Sequence, residues 1–320
     1  MGVIASQVPH SLAALSETEI IRRIVTALAE ACPIFPAGPG GDCAIFENAS
    51  TLKYRVSSID SVILGRHFDS SCSGALAGRK LVQRNLSDLA AAGARPSDAL
   101  LSFIVGADIN ADWLEDFAHG AGRAAAQVGL KIVGGDIARG TPSTFAATLA
   151  IQGHSSRILT RQTCQPGDVI FVTGNLGGSS YGHHLNFQAR LNEGQWLCGQ
   201  NAVTACTDIS DGLAKDLPGL IGKLCNARID LSLLPISEEA RALAKADGKP
   251  ALEHALEDGE DYELLFTVQP AQADLIAATF KKSFPETPLS QIGKIEIGKG
   301  EVFSLTDSQP IQSAGFSHFG

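Results

Sequence analysis

The chain has 320 residues, enough for two domains of about 150 residues each. Its formal net charge of −9 argues against a nucleic-acid-binding surface, because such surfaces concentrate lysine and arginine. No segment reaches the ~18 apolar residues of a membrane span, the N-terminus lacks a cationic leader, and seven scattered cysteines contain no CxxC pair. We therefore expect a soluble cytoplasmic protein with reduced thiols and no membrane partner.

The first half of the chain predicts alternating helices and strands. A helix over 16–31 has Ser16 and Glu19 at capping-box spacing. The stretch LKIVGGD at 130–136 predicts a strand that ends in two glycines and an acid and feeds a loop where a ligand approaches the backbone. Hydrophobic periodicity predicts the other elements, namely helices over 75–92 and 111–128 and strands over 54–64, 100–105 and 144–153.

The second half begins with a turn at Pro166-Gly167-Asp168, followed by a strand over 169–173 and a glycine-rich loop. The block Asp208–Gly212 is predicted to start a helix, where exposed N–H groups favour phosphate. No GxxxxGK[ST] motif is present, so a nucleotide site here is of another kind. We expect an α/β (α+β) fold in two domains, 1–155 with a mixed sheet and helices and 156–320 as an α/β domain.

Six aspartates in short segments suggest a polyphosphate site built around several Mg²⁺ ions. Carboxylate oxygens suit Mg²⁺, which is shared between one or two protein carboxylates and substrate phosphates. Each one alone is explained as well by a turn or a helix cap. The six are Asp42, Asp60, Asp88, Asp136, Asp208 and Asp211.

Eight ordered motifs resemble the thiamine-monophosphate kinases of the aminoimidazole-ribonucleotide-synthetase-like superfamily. They are GPGGDCA (38–44), SSIDSVILGRHF (57–68), RNLSDLAAAGARP (84–96), VGGDIARG (133–140), LTRQTCQPGDVIFVTG (159–174), TDISDGL (207–213), EDGEDYELLF (257–266) and GFSHFG (315–320). The resemblance implies transfer of a phosphoryl group from ATP to thiamine monophosphate by in-line displacement, with Mg²⁺ and without a catalytic acid or base. It also implies a homodimer formed through the sheets and helices of the first domains.

By the same resemblance, specific residues receive roles. The metal ligands would be Asp42, Ser58, Asp60, Asp88, Asp136, Asp208 and Asp211. ATP would meet Gly134, Gly135, Asp136, Arg161 and Ser210. Thiamine monophosphate would meet His67, Glu260 and Phe316, since an aromatic face and a carboxylate suit its cationic ring.

Structural explanations remain open for several residues of these motifs. His67 is also explained as a strand-end histidine, and Arg161 as the partner of a surface acid. A solvated strand face explains Asp261 and Glu263 nearly as well as ligand binding does. Phe316 could anchor the chain end in a core.

The chain departs from the family pattern at several points. Gly41 replaces the first of two adjacent aspartates, Ile137-Ala138 replaces Thr-Thr, Ile59 replaces a hydroxyl residue, and Asp258 replaces a glycine. The family's HLxPxPR segment is not recognisable between 181 and 206, which contain no proline. Two alternatives follow, a superfamily ATPase with another small substrate and a catalytically silent nucleotide-binding protein.

Overall fold

Two compact units make up the computed structural model, which describes residues 3, 4, 12, 15, 17–33, 53–312 and 315. The N-terminal unit comprises Met1–Leu89 and Arg95–Ser156. The C-terminal unit comprises Ala90–Ala94 and Arg157–Gly320.

The N-terminal unit is a mixed four-stranded sheet with helices against one face. Its strands lie in the order β1-β4-β2-β3, with β3 parallel to β2 and the other pairs antiparallel. The strands are β1 (Tyr54–Ile63), β2 (Arg95–Val105), β3 (Lys131–Arg139) and β4 (Phe145–Ser155), and the helices are α1 (Glu17–Leu28), α2 (Gly74–Ala92) and α3 (Ala111–Gln127).

Aromatic side chains and a close helix crossing form the core of this unit. The rings of Trp113 and Phe117 on α3 lie 4.9 and 5.1 Å from the ring of Phe145 on β4, and all three side chains are buried. Helix α2 meets α3 at Gly78, where a Cβ would lie 2.0 Å from the Phe117 carbonyl oxygen. Alternate residues of β4 are buried, so the other set defines the opposite face of the sheet.

The C-terminal unit is a six-stranded mixed sheet with the order β10-β7-β9-β5-β8-β6. Its buried core includes Val172, Leu217 and Leu265, from a strand, a helix and a second strand. The strands are β5 (Val169–Thr173), β6 (Val203–Asp208), β7 (Cys225–Ile229), β8 (Leu264–Val268), β9 (Leu289–Ile297) and β10 (Val302–Ser304), and the helices are α4 (His183–Asn186), α5 (Leu191–Cys198), α6 (Leu213–Ile221), α7 (Glu238–Asp247), α8 (Ala251–Glu257) and α9 (Ala273–Ser283).

The predicted fold class is confirmed, since the chain forms two mixed sheets with helices between the strands.

The predicted capping box at the start of α1 involves Ser16, which lies outside the described residues. The carboxylate of its second member, Glu19, accepts hydrogen bonds from Arg22 and Arg23. Within the part of the chain that the structure describes, no helix is both long and apolar enough to cross a membrane. The six described cysteines are free thiols.

Candidate functional site

Ser58, Asp60 and Asp88 lie together between β1 and α2. Ser58 Oγ donates a hydrogen bond to Asp88 Oδ2. Arg84, one turn before Asp88 on α2, donates from Nε to Asp60 Oδ2 over 2.6 Å. The Asp60 side chain is 31% exposed. Three predicted metal ligands therefore form one group of hard oxygen donors, and an arginine orients one of them.

The segment at 130–136 does not have the predicted shape. Gly134, Gly135 and Asp136 lie inside β3 rather than in a loop after it. The cause is the close approach of β2, because a Cβ on Gly135 would lie 1.7 Å from the Leu101 carbonyl oxygen. Glycine at this position serves strand pairing.

Asp136 and Asp60 project from opposite faces of the sheet. In the pairing register Asp60 aligns with Leu149, whereas Asp136 aligns through Ser102 with Thr148, the residue before Leu149. Successive side chains of a strand alternate between faces, and three strand spacings put the two strands about 14 Å apart. The N-terminal unit of one chain therefore does not bring Asp136 into the Asp60 group.

A cavity of about 520 Å³, including its open mouth, lies beside α1 and the β2–β3 pair. Gly134, Gly135 and Asp136 form part of its wall. The rest of the wall is mainly apolar, formed by Ile24, Val25, Leu28, Cys32, Leu101, Phe103, Ile132 and Ile137. Its mainly apolar lining suits a largely apolar group such as a nucleoside base.

His67 is 7% exposed and lies in the turn that follows β1. Its Nδ1 accepts a hydrogen bond from the Ile63 N–H over 3.0 Å. Its carbonyl oxygen accepts from the buried ammonium group of Lys80 over 2.8 Å. The residue thus supports this turn, and its contact with a substrate stays a prediction.

The Asp208–Gly212 block connects β6 to α6. Asp208 ends the strand, and Asp211 pairs with the Lys215 ammonium group at 2.8 Å. The N–H groups of Ser210 and Asp211 each donate to Asp216 Oδ2 over 2.9 Å. The sequence predicted exposed N–H groups here, but a carboxylate of the same helix engages both. Burial raises the pKa of Asp216 to about 6.

Glu260 lies in a strained turn that is tied to this block. Glu260 and Tyr262 both have a φ of +53°, in the left-handed region that is rare for residues other than glycine. The Glu260 N–H donates to the Ser210 carbonyl oxygen, and the Tyr262 N–H donates to that of Ile209, both over 2.8 Å. A residue predicted to bind the acceptor is therefore one hydrogen bond from a residue predicted to contact ATP.

The alternative of a solvated strand face for Asp261 and Glu263 is wrong. Asp261 is 1% exposed and accepts from the Gly177 N–H over 2.7 Å, while its Oδ2 has no hydrogen-bond partner among the described residues. Glu263 is 3% exposed and accepts from Thr173 Oγ1 over 2.6 Å. Arg190 completes the set, with Nε and Nη2 donating to the two Glu263 oxygens over 2.7 and 2.6 Å.

The free energy of unfolding is expected to rise when Asp261 is replaced by Asn. Burial, together with the nearby carboxylates, raises the Asp261 pKa well above its ordinary 3.8. The folded state therefore keeps this proton to higher pH than the unfolded state does, and wild-type stability falls as pH rises from 3.8 toward the folded pKa. The asparagine variant has no carboxyl proton to lose at this position. Its free energy of unfolding should therefore exceed that of wild type by on the order of 2 kcal/mol at pH 8 and by less at pH 5. Urea unfolding at both pH values measures it, and an equal difference at the two would contradict the buried proton.

The HLxPxPR segment, expected to be missing, is present in altered form. HLNFQAR at 184–190 keeps the histidine, leucine and arginine, with Phe187 and Ala189 at the two proline positions. Phe187 has φ −60° and ψ 160°, a conformation that proline also adopts. The segment was not recognised in the sequence because it lacks proline. Its Arg190 side chain pairs with Glu263.

Three further residues were predicted to belong to the site. Arg161 is exposed, and its guanidinium lies near Gly219 on α6, where an added Cβ would be 3.9 Å from Nη1. Asp42 and Phe316 lie outside the described residues. Over the described residues, no group of three His, Cys, Asp or Glu side chains converges as a metal site. The chemistry of the donors, serine and aspartate oxygens, nevertheless suits Mg²⁺.

Family models match both halves of the chain. The model for AIR synthase related protein, N-terminal domain, matches residues 40–154. The model for the C-terminal domain of the same proteins matches residues 165–305.

Comparison with individual proteins identifies the family more specifically. The thiamine-monophosphate kinase of Rhodopirellula baltica is 32% identical over 271 residues, which are 82% of this chain and 84% of that protein. The solved structure described as AaThiL complexed with AMPPCP and TMP has a TM-score of 0.72 and 28% identity, covering 83% of this chain and 87% of its own. Hydrogenase maturation protein HypE in complex with ATP has a TM-score of 0.77 and covers 98% of both chains, but 17% identity shows the fold alone. The chain belongs to the thiamine-monophosphate kinase family, which confirms the resemblance found in the sequence.

Proposed function

We propose that this protein transfers the γ-phosphoryl group of ATP to the phosphate of thiamine monophosphate, giving thiamine diphosphate and ADP, in the cytoplasm. The observation that carries the proposal is the 2.8 Å hydrogen bond from the Glu260 N–H to the Ser210 carbonyl oxygen. This hydrogen bond links Glu260, which we propose contacts the cationic acceptor, to Ser210, which we propose contacts the ATP phosphates. The names of the relatives support the same reaction.

The reaction needs positioning more than acid–base chemistry. An oxygen of the acceptor phosphate forms a bond to the γ-phosphorus as the bond to the bridging oxygen of ADP breaks. That acceptor oxygen is already nucleophilic, so no side chain has to remove a proton. Bound Mg²⁺ supplies neutralisation of the two anions that approach each other. Arg161 and Ser210 hold ATP phosphates, and Glu260, His67 and Phe316 orient the acceptor.

The donor side of the proposed site consists of Mg²⁺ ligands and a pocket for the adenine. The Mg²⁺ ligands in this proposal are Asp42, Ser58, Asp60, Asp88, Asp136, Asp208 and Asp211. The 2.6 Å hydrogen bond from Arg84 Nε fixes the orientation of the Asp60 carboxylate. We place the adenine in the cavity beside α1, whose wall is mainly apolar and includes Gly134, Gly135 and Asp136.

A homodimer through the N-terminal sheet is part of the proposal. On the face away from the helices, Ile59, Leu100 and Ile104 are 66%, 46% and 48% exposed. Two apolar rows flank a polar one, and the rows are Ile59–Ala150–Leu100–Gly134, Ser61–Thr148–Ser102–Asp136 and Ile63–Ala146–Ile104–Ala138. A second copy of this chain would cover the apolar rows and meet the polar row with its own hydroxyl groups.

Replacing Ile104 with Lys is expected to shift the protein from dimer to monomer. A lysine here would place its ammonium group in an apolar row that the second copy covers, and the cost of removing this charge from water opposes association. Sedimentation velocity at micromolar concentration measures the change. Leu224→Lys is the matched control, since Leu224 is 83% exposed on the C-terminal unit. A monomeric wild type, or an unchanged dimer in Ile104→Lys, would refute this interface.

The function is tested by incubating purified protein with Mg²⁺, ATP and thiamine monophosphate and following thiamine diphosphate by chromatography. Thiamine serves as the control acceptor. Product from the monophosphate alone supports the kinase. ATP binding without product would favour a silent nucleotide-binding relative, and ATP hydrolysis without transfer would favour a superfamily ATPase with another substrate.

A further inference from the structure

The Glu260 side chain is held by two neighbours as well as by its backbone. Its Oε1 accepts from the Tyr262 hydroxyl over 3.3 Å. Its Oε2 lies 3.4 Å from Nδ1 of His184. The Glu260 side chain stays 25% exposed and that of His184 18%, so the carboxylate is restrained but accessible.

Both neighbours are fixed by the altered HLxPxPR segment. His184 belongs to α4, and Phe187 follows its last residue. The Phe187 ring stacks on the Tyr262 ring with centroids 4.0 Å apart and planes 18° apart, and both side chains are buried. A short helix and one aromatic stack thus place the two groups that face the Glu260 carboxylate.

We propose that His184 is a positioning residue for the acceptor: its Nδ1–H donates to Glu260 Oε2 and holds the carboxylate against the cationic ring of thiamine monophosphate. The inference rests on the proposed function. A hydrogen bond from an imidazole nitrogen restrains the carboxylate in the position from which it attracts a cationic ligand. Hydrogen bonds of this kind are often long before the ligand is bound and shorten in the complex.

The proposal makes a selective kinetic prediction. His184→Ala should raise KM for thiamine monophosphate about 10-fold, because one hydrogen bond to a charged group is lost. The kcat and the KM for ATP should stay within about twofold of wild type, since His184 acts on the acceptor only. A general structural defect would instead change all three constants.

Two conservative variants test which ring nitrogen acts. The amide nitrogen of asparagine reaches the place of Nδ1, whereas that of glutamine reaches the place of Nε2. His184→Asn should therefore restore most of the acceptor KM, and His184→Gln should not. His183→Asn is the matched control on the neighbouring residue, whose Nε2 has no hydrogen-bond partner among the described residues.

Direct binding separates this inference from the proposed reaction. Calorimetry with thiamine monophosphate in the presence of Mg²⁺ and ADP needs no turnover. We expect His184→Ala to weaken that binding about 10-fold, with His184→Asn close to wild type. Equal binding by wild type and His184→Ala, or equal rescue by asparagine and glutamine, would overturn the role of His184. Absence of thiamine diphosphate with this binding pattern intact would refute only the kinase reaction.

Discussion

Replacing Asp88 with asparagine is expected to lower kcat for thiamine diphosphate formation by at least ~10²-fold, the size of effect seen when one electrostatic contact to a transition state is removed. The change removes a charge from the Ser58–Asp60–Asp88 group while keeping an oxygen that accepts from Ser58 Oγ. Steady-state rates at saturating Mg²⁺ and ATP measure the loss. The melting temperature should change little, because the hydrogen bond between β1 and α2 survives.

A second serine–aspartate pair in the same unit provides the control. Ser97 Oγ donates to Asp98 Oδ2 over 2.7 Å, and Asp98 is partly exposed, as Asp88 is. Asp98→Asn therefore makes the same chemical change outside the predicted metal group and should leave kcat within about twofold. Wild-type kcat in Asp88→Asn would remove this residue from the metal site, and equal losses in both variants would point to general destabilisation.

Local pattern was enough to predict most elements of the fold. The helix over 75–92 was recovered because it has a clear helical period. The strand over 169–173 was recovered because it is a short apolar run between a turn and a glycine. The shape at 130–136 was not recovered, because a glycine inside a strand looks the same in sequence as one after it. Only the position of the Leu101 carbonyl oxygen distinguishes the two cases.

The buried part of the candidate site depended on distant partners. Asp261 meets Gly177, and Glu263 meets Thr173 and Arg190, pairs separated by 84, 90 and 73 positions. Acidic residues around a tyrosine therefore resembled a solvated face until these partners were known. The motif resemblance supplied candidate residues, but it did not place Asp136 and Asp60 on opposite faces of a sheet.

Replacing Arg190 with methionine is expected to lower the free energy of unfolding of the C-terminal unit by about 3 kcal/mol, because it leaves the Glu263 carboxylate buried without its cation. Methionine keeps most of the apolar stem, so the loss reports charge rather than packing. The protein has two tryptophans, Trp113 and Trp196. In a Trp113→Phe background, urea unfolding followed by fluorescence reports on Trp196, which packs near Phe280 in the C-terminal unit.

An arginine–glutamate pair near the surface serves as a control. It tests whether the loss of stability comes from the burial of the pair or from pairing alone. Arg228 Nε donates to Glu296 over 2.7 Å, as Arg190 Nε does to Glu263, but the Glu296 side chain is 35% exposed and that of Glu263 only 4%. Arg228→Met should therefore cost less than ~1 kcal/mol. Adding Glu263→Gln to Arg190→Met should recover part of the loss, since the uncompensated charge is removed. Equal losses in the two arginine variants would mean that the buried pair contributes no more to stability than a surface pair does.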